Sequence, residues 1–501
     1  MGSNPTRRAN ISNESTMDIL LIDPPYIGLK GMPTDRGYNM GPTSLAAYLC
    51  AAGLETAVLT GDLFAERRPR MLRAVMPDVF QNMNRYASGQ REYARTINTR
   101  AHPVWRKMAD VVRETKPLAA GISYLTPVKS AVAKVAAIIK ATDPGIKIIV
   151  GSFHPTFCPD EVIENPDIDF VIRGEGEKPL AQLVQALKKG GTGLETVPGL
   201  SYRDGDGRVK HNRSGELINN LDELPFPARD LVINCDYTAY RLHSIATTRG
   251  CPYSCSFCGE RDLWGGKVRR RAVASVTEEL RSLKEDYRPS YVDIVDGTFT
   301  YDRKYLSDFC QALLDQELEI KWRCTARYDN LDEDLLKLMK RSGCAGLYFG
   351  LESGSDRVLR SIDKKITVAD ITRVSRIVYE LGILSETSVL LGLPDENQED
   401  IEATLGLMRT VKTDKFDVNS FIPLPGTTFW EAMSEEEKRQ IDWLIIGYKS
   451  YDNYFSKGIT REEFSQLRDE AYRIADSVLR RTILRLGARK VFQVAAGLFR
   501  G

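Results

Sequence analysis

Short apolar runs and helical patterns alternate along the first third of the chain. Residues 18–25 (DILLIDPP) form an apolar run that ends in prolines, which is typical of a buried parallel strand, and residues 44–53 predict a helix closed by glycine. Four more strands are predicted, at residues 56–60, 118–125, 146–151 and 169–174. Strands that alternate with helices favour an open, doubly wound parallel sheet of the Rossmann-like type.

The same alternation returns after residue 243 with longer helices. Strands are predicted within residues 244–248, 291–299, 319–326, 346–352, 385–394 and 416–425. Six strand–helix units predict a partial (β/α)6 barrel, an α/β fold whose chemistry lies at the carboxyl ends of the strands. The chain after residue 433 is predicted to be helical, and Thr460 with Glu463 forms a capping box before an amphipathic helix.

These patterns divide the chain into five parts. The expected domains are a disordered lead-in (1–16), a first α/β domain (17–190), a linker (191–242), the barrel (243–432) and a helical C-terminal region (433–501). A helical insertion is predicted at about residues 63–116. The linker is expected to contain a β-hairpin around the turn residues 204–207 (DGDG).

Composition narrows the classes of function. The chain has 501 residues and a formal net charge of +1, so the sequence predicts no nucleic-acid partner. No apolar run has membrane-spanning length and the first residues lack the apolar core of a signal peptide, so a cytoplasmic location is expected. Nine cysteines, an odd number, favour reduced thiols that bind a cofactor over a disulfide framework.

Three of the cysteines stand close together within residues 248–266. Cys251, Cys255 and Cys258 have C-x3-C-x2-C spacing, which suits three corners of an iron–sulfur cube and leaves the fourth iron without a protein ligand. A structural zinc site is a weaker interpretation because it needs four protein ligands. Three unrelated buried cysteines are the least favoured interpretation, since the other six are scattered singly along the chain.

Candidate binding residues follow the predicted strands. In the barrel region they are Asp296, Arg327, Glu352 and Gly392. In the first domain the strand ends carry Ser123, Gly151 and Glu175. Structural alternatives exist for two of them: Asp296 could start a turn, and Glu352 could pair with Arg357 or Arg327.

The cysteine motif also carries a resemblance to a known family. With Phe257 before the last cysteine of RGCPYSCSFC, and with the later GLESGS, the chain resembles radical S-adenosylmethionine enzymes that have an N-terminal cobalamin-binding domain. The resemblance runs from about residue 18 to about residue 430. It implies a [4Fe-4S] cluster, S-adenosyl-L-methionine and cobalamin as cofactors, and it adds Phe257 to the expected cofactor-binding residues.

In such cobalamin-binding domains, Ser-x-Leu and Gly-Gly segments after the third and fourth strands form a slot for the nucleotide tail. Ser123 and Leu125 match the first segment, and Gly151 with Ser152 nearly matches the second. The loop after the first strand lacks the D-x-H-x-x-G histidine that many cobalamin proteins supply to cobalt, so no histidine ligand is expected. His154 is expected to line the tail or cap a turn. The alternative is that these segments are ordinary strand-to-helix turns.

The same resemblance implies that Asp296 contacts the amino acid end of S-adenosylmethionine and that Glu352 contacts its ribose or methionine part. The segment 390–394 (LLGLP), which contains Gly392, matches an adenine-supporting motif, and its alternative is a buried strand end. No residue is assigned a proton-transfer role.

The resemblance implies a cobalamin-dependent methyltransferase that methylates an unactivated carbon or phosphorus centre of a small-molecule, lipid-like or pigment-like substrate. One alternative is a family member that cyclises or rearranges its substrate, and another, from a different class, is a cobalamin-responsive sensor with a structural cluster. An external electron donor of the flavodoxin or ferredoxin type is expected. The basic C-terminal helix, with Arg480, Arg481 and Arg485, is expected to dock on the barrel, and contact with a membrane surface is its second interpretation.

Overall fold

The computed structural model describes residues 17–26, 29, 40–64, 86–234 and 242–498. The predicted lead-in over residues 1–16 lies outside the described residues, as do most of the first loop and residues 65–85 of the predicted helical insertion. The described part of that insertion contains two helices, as the sequence predicts.

The first α/β unit is a seven-stranded sheet covered by helices. Its strands are β1 (Ile19–Asp23), β2 (Thr56–Thr60), β3 (Ala119–Ser123), β4 (Lys147–Gly151), β5 (Phe170–Ile172), β6 (Leu200–Arg203) and β7 (Val209–His211). They lie in the order β2-β1-β3-β4-β5-β6-β7, and the first five are parallel. Its helices are α1 (Met40–Ala51), α2 (Tyr86–Asn98), α3 (Pro103–Thr115), α4 (Lys129–Thr142), α5 (Phe153–Phe157), α6 (Pro159–Ile163) and α7 (Glu177–Lys188).

Both faces of this sheet are buried. Leu20 and Ile22 of β1 belong to one hydrophobic core, and Ile19 and Leu21 of the same strand belong to a second core on the opposite face. Two-sided burial explains why these strands are near-continuous apolar runs in the sequence.

The predicted hairpin consists of β6 and β7. Strand β6 pairs antiparallel with β5, and β7 pairs antiparallel with β6. The Asp204 carboxylate closes the turn by accepting from the backbone N–H groups of Asp206 and Arg208. The first sheet therefore continues past residue 190, into the stretch predicted as a linker.

The second unit is a half barrel. Its strands are β8 (Leu242–Ile245), β9 (Thr248–Arg249), β10 (Arg269–Arg270), β11 (Tyr291–Ile294), β12 (Trp322–Ala326), β13 (Cys344–Glu352), β14 (Leu384–Leu391) and β15 (Lys415–Ser420). Six of them form one parallel sheet in the order β8-β11-β12-β13-β14-β15, while β9 and β10 pair separately. Its helices are α8 (Glu260–Leu263), α9 (Val273–Tyr287), α10 (Arg303–Asp315), α11 (Glu333–Arg341), α12 (Asp356–Ser361), α13 (Val368–Glu380) and α14 (Gln398–Thr410). The predicted fold class is confirmed.

The C-terminal region combines helices with a segment of turns. The helices are α15 (Thr428–Glu431), α16 (Glu435–Arg439) and α17 (Arg461–Leu498). Residues 440–460, called the strap below, are turns and irregular backbone, which the expectation of a wholly helical region missed. Helix α17 begins at the predicted capping box of Thr460 and Glu463 and buries Phe464 and Ala471 in the barrel core. Among the described helices, none has the length and apolar character needed to cross a membrane.

The strap connects the two α/β units. The backbone N–H of Ser420, at the end of β15, donates to the Tyr448 carbonyl oxygen at 2.8 Å. On the other side, the side-chain amide of Gln90 in α2 donates to the Leu444 carbonyl oxygen at 2.9 Å. Since β15 is an outer strand of the half barrel, the strap lies along that outer edge.

Two glycines allow the first unit to pack closely on the barrel. Phe153 and Phe157 of α5 lie against Gly259, which follows the last cysteine of the motif, and against Gly426, which follows β15. A Cβ atom on Gly426 would lie 2.5 Å from the Phe157 ring, and the φ angle of Gly426 is +76°. Both the contact and the backbone therefore require glycine at this position.

Gly426→Ala is expected to lower the free energy of unfolding by about 1–3 kcal/mol, because the added methyl group overlaps the Phe157 ring and strains the backbone. Gly406→Ala is the matched control, since an added Cβ there has no atom within 4 Å and α14 gains up to about 1 kcal/mol from alanine. Urea denaturation followed by circular dichroism measures both variants. Equal effects of the two substitutions would contradict the packing argument.

Candidate functional site

Cys251, Cys255 and Cys258 lie on the loop between β9 and α8. Burial, with contributions from Glu260 and the other two thiols, raises the pKa of Cys258 to about 12, so the three thiols lie close enough to interact. A cluster of several metal ions would supply the positive charge that stabilises thiolates on this loop.

Arg327 supports the cysteine loop by packing on Tyr253. Its guanidinium lies over the Tyr253 ring at 3.6 Å from the centroid, donates to Asp329 at 2.9 Å and donates to the Lys364 carbonyl oxygen at 2.5 Å. The Tyr253 hydroxyl accepts a hydrogen bond from the Asn330 amide at 2.8 Å. The polar contacts of Arg327 are therefore made with the loop and with the residues around it.

Asp296 is buried at the end of β11 and anchors the start of the same loop. Its carboxylate accepts from the backbone N–H of Thr247 at 2.7 Å, from the backbone N–H of Thr248 at 3.1 Å and from the Thr247 hydroxyl. Burial raises the pKa of Asp296, although these hydrogen bonds lower it. Both carboxylate oxygens thus bind the chain itself, between β8 and β9.

Glu352 ends β13 with an unusual backbone. The register of β13 with β14 shifts between Gly350 and Glu352, and φ of Glu352 is +63°. This bulge directs the buried carboxylate to the Lys364 ammonium, which donates to it at 2.8 Å. A Cβ on Gly350 would lie 2.6 Å from Lys364 Nζ, so a larger residue there would displace the ends of the paired side chains. Neither alternative partner from the sequence, Arg357 or Arg327, is the one observed.

Lys364 is a residue that sequence reasoning missed. Its ammonium lies 5.9 Å from the Phe257 ring centroid, beside the cysteine loop. Burial lowers the pKa of Lys364, but the charges of Glu352 and Cys255 outweigh it and raise the pKa overall, so the ammonium stays charged. A lysine in the connection that follows Glu352 was the only available signal.

Gly392 follows β14 in a tight turn that a second missed residue supports. The backbone N–H groups of Gly392 and Leu393 donate to one carboxylate oxygen of buried Glu396, at 2.7 and 3.3 Å. Gly392 has φ +83° and its α-carbon faces the Phe464 ring. The segment 390–394 is therefore both a buried strand end and a turn held by an internal carboxyl group.

A cavity of about 590 Å³ lies between the two units. From the first sheet it is lined by Ser123, Gly151, Ser152 and Glu175, all of them predicted site residues. From the barrel it is lined by residues around the cysteine loop: Thr248, Arg249, Glu260, Trp264 and Gly297. Three glycines of the first unit, Gly41, Gly121 and Gly151, are among the lining residues and add no side chain to the space. A slot of this kind fits the tail of a cobalamin.

Buried ion pairs cross the boundary between the units at this cavity. The Glu175 carboxylate accepts from Arg249 at 2.5 Å, from Arg269 at 2.9 Å and from the Ile218 backbone N–H at 2.6 Å. Arg249 also binds Glu177. Glu175 thus binds the barrel, and Arg249 stands two residues before the first cysteine of the motif.

Two predicted residues do not line the cavity. Leu125 is 42% exposed and is not among the cavity-lining residues. His154 is also absent from the lining and stacks on Tyr124 instead, with ring centroids 4.8 Å apart. The expectation of a cobalt without a histidine ligand stays a prediction.

Tyr448 of the strap is a further residue that the sequence did not single out. Its side chain is 43% exposed, yet burial and the nearby Cys258 raise its pKa to about 12. The strap therefore brings an aromatic side chain towards the cysteine loop.

Two family descriptions match the sequence: the Radical SAM superfamily over residues 245–408 and the B12 binding domain over residues 87–184. The chain is similar to an uncharacterized methyltransferase of Pyrococcus horikoshii, with 33% identity over 370 residues that cover 73% of this chain and 80% of the relative. It is also similar to the anaerobic magnesium-protoporphyrin IX monomethyl ester cyclase of Rubrivivax gelatinosus, with 27% identity over 65% of this chain and 61% of the relative.

A solved structure shares the arrangement of the two units. The radical S-adenosylmethionine methyltransferase TsrM from Kitasatospora setae matches with a TM-score of 0.62 and 18% identity, over 82% of this chain and 75% of that chain. At this level of identity the likeness concerns the fold alone.

Replacing any one of Cys251, Cys255 or Cys258 with Ala is expected to reduce iron and sulfide from about four per chain to below about one, because two thiolates hold a cube poorly. Cys50→Ala is the control, since Cys50 is an exposed thiol on α1. Iron and sulfide analysis after anaerobic reconstitution measures the effect. A full cluster in Cys255→Ala would refute the assignment.

Glu396 should make stability depend on pH. Burial raises its pKa to about 8, although the N–H groups of Gly392 and Leu393 lower it. Between pH 5 and pH 8 the folded chain then holds a proton that the unfolded chain has lost. The free energy of unfolding should therefore fall by up to about 1.4 kcal/mol per pH unit across this window, on account of this group.

Glu396→Gln cannot lose that proton, and its carbonyl oxygen can still accept from Gly392. The difference in urea stability between wild type and Glu396→Gln should accordingly shift in favour of the variant as pH rises from 5 to 8. Parallel stability curves for the two proteins would show that the carboxyl group titrates normally.

Proposed function

We propose that this chain transfers a methyl group to an unactivated carbon or phosphorus of a small-molecule substrate. It belongs to the radical S-adenosylmethionine superfamily and carries an N-terminal B12-binding domain. Its cofactors are a [4Fe-4S] cluster, S-adenosylmethionine and cobalamin. The observation that carries the proposal is the one cavity lined both by the slot of the first sheet and by the entrance of the cysteine loop. Both cofactor-binding halves thus open on a common space.

When bound, the cluster supplies the electron that cleaves S-adenosylmethionine, and cobalamin carries the methyl group. The thiols of Cys251, Cys255 and Cys258 hold the cluster. Ser123 and Gly151 leave room for the cobalamin nucleotide, because neither fills the slot.

The polar groups of the barrel divide into two roles. Glu352 and Lys364 form a charged pair beside the cysteine loop, and we assign them to the polar parts of S-adenosylmethionine. Asp296 and Arg327 already bind the chain on several sides, so we assign them to holding the loop in position. Gly392 keeps its role in the adenine-supporting turn, which Glu396 braces.

An external reductant is required because cleavage of S-adenosylmethionine consumes an electron, and we propose a donor of the flavodoxin or ferredoxin type.

Contact of α17 with a membrane has less support than docking on the barrel. Arg485, one of its basic residues, pairs with Asp414 beside β15 and lies 4.7 Å from the Tyr379 ring centroid. Four apolar residues of the same helix, Phe464, Ala471, Ala475 and Val478, are buried in the barrel core, whereas Leu484 is 73% exposed.

Substrate cyclisation is the second candidate function. It is favoured by the similarity to a cyclase, although this chain spans only 61% of that relative. The two functions differ in what becomes of S-adenosylmethionine: methyl transfer through cobalamin yields S-adenosylhomocysteine, whereas cyclisation does not.

The test uses the anaerobically reconstituted enzyme with S-adenosylmethionine labelled in its methyl group, reduced flavodoxin and an extract of small molecules from the native cell. We expect 5′-deoxyadenosine, S-adenosylhomocysteine and one extract compound that gains the labelled methyl group. Cys255→Ala is the control and should yield none of the three.

Two outcomes would oppose the methyltransferase. Formation of 5′-deoxyadenosine without S-adenosylhomocysteine would favour the cyclase. A lack of all products in the wild type, with cluster and cobalamin bound, would favour the sensor.

A further inference from the structure

Three metal-binding side chains come together on α5 and α6, outside the site described above. His154, Cys158 and Glu161 are spaced at i, i+4 and i+7, and the Cys158 N–H donates to the His154 carbonyl oxygen at 2.9 Å, which continues the helical turn. Cys158 lies between the two helices, with φ −126° and ψ 52°, so the bend there and not a continuous helix brings the three side chains together. One nitrogen, one sulfur and one carboxylate oxygen from them all lie within 4.8 Å of one another.

His154 has a nitrogen without a partner. The residue is completely buried, and its Nδ1 lies 3.1 Å from the Thr126 hydroxyl. Its Nε2 has no hydrogen-bond partner among the residues that the structure describes. The nearest carboxylate oxygen, on Glu161, is 3.6 Å away, which is too long for a hydrogen bond. Leaving a buried polar atom unsatisfied costs about 1–3 kcal/mol, so the arrangement calls for a further group between Nε2 and Glu161.

The chemical state of the three groups suits a cation. Burial, together with the Lys129 charge, lowers the pKa of His154 to about 3, so the imidazole is neutral and a ring nitrogen can donate its lone pair. The contact of Nδ1 with Thr126 fixes the ring in the way that outer hydrogen bonds orient metal-binding histidines. Burial raises the pKa of Cys158 to about 11, and a bound cation would reverse that shift by stabilising the thiolate.

We propose that His154, Cys158 and Glu161 form a zinc site separate from the cysteine loop. A neutral imidazole, a thiolate and a carboxylate match the nitrogen, sulfur and oxygen ligands of zinc, at about 2.0–2.3 Å, and leave a fourth position for water. The soft thiolate disfavours magnesium and calcium. A divalent ion and two anionic ligands together carry no net charge, which favours their burial away from water.

Glu161 has a competing partner in this structure. The Lys129 ammonium binds its other carboxylate oxygen, and the two side chains are 34% and 38% exposed. Because Lys129 reaches solvent, it can release Glu161 without leaving a buried charge behind. Zinc binding at this site therefore replaces a surface ion pair.

The position of the site assigns it a structural role. Cys158 packs against the cluster formed by Ile422, Trp430 and the strap residue Trp443. Phe153 and Phe157, on either side of His154, contact Gly259 and Gly426 of the barrel unit. An ion here would stiffen the element that docks the first unit on the barrel, and this role does not depend on the methyl-transfer proposal.

The test measures zinc and iron together in the reconstituted enzyme that holds its cluster and cobalamin, after equilibrium dialysis against micromolar zinc. We expect about one zinc per chain in the wild type and less than a tenth of that in His154→Gln and in Cys158→Ala, at unchanged iron content. Cys50→Ala, which removes an exposed thiol, is the matched control and should keep its zinc.

Thermal unfolding provides a second measurement. Zinc should raise the midpoint temperature of the wild type and of Cys50→Ala, because a ligand that binds only the folded chain stabilises it, and should leave Cys158→Ala unchanged. A wild type without stoichiometric zinc would overturn the proposal. Zinc retained by Cys158→Ala would overturn it as well, by showing that the ion binds elsewhere.

Discussion

The carboxylate of Glu175 stands at the end of the first sheet, and the two guanidinium groups that bind it belong to the barrel unit. All three side chains are largely withdrawn from water, so loss of Glu175 would remove the carboxylate that both buried guanidinium groups share, at a cost of about 3–5 kcal/mol. Such a contact favours one arrangement of the two units strongly over others. The cavity depends on it directly, because Glu175 and Arg249 both line that space.

The same contact reaches the cysteine loop through the backbone. Arg249 precedes Cys251 by two residues, Asp296 binds the backbone just before Arg249, and Arg327 lies under Tyr253 on the far side of Cys251. Three charged side chains from three different strand ends thus fix one short loop. The motif supplies the thiols, while residues outside the motif determine where the thiols point.

Local patterns were sufficient for the strands and the half barrel, because an apolar run or an alternation of strand and helix can be recognised within a few tens of residues. They were insufficient wherever a partner comes from a distant part of the chain. Glu352 was identified, but its partner Lys364 was not, since the bulge at Gly350 that joins them has no local signal. Glu175 was identified for its place at a strand end, yet its partners lie more than 70 residues further along the chain.

The strap has a consequence for how the protein is made. Chains emerge from the ribosome with the N-terminal units first, so the first sheet and the cysteine loop are complete before residues 440–460 exist. Until then β15 has no neighbour along its outer edge, and Tyr448 is not yet near Cys258. The two α/β units therefore gain their connection through the strap last, when its contacts with Gln90 and Ser420 tie the outer edge of β15 to helix α2.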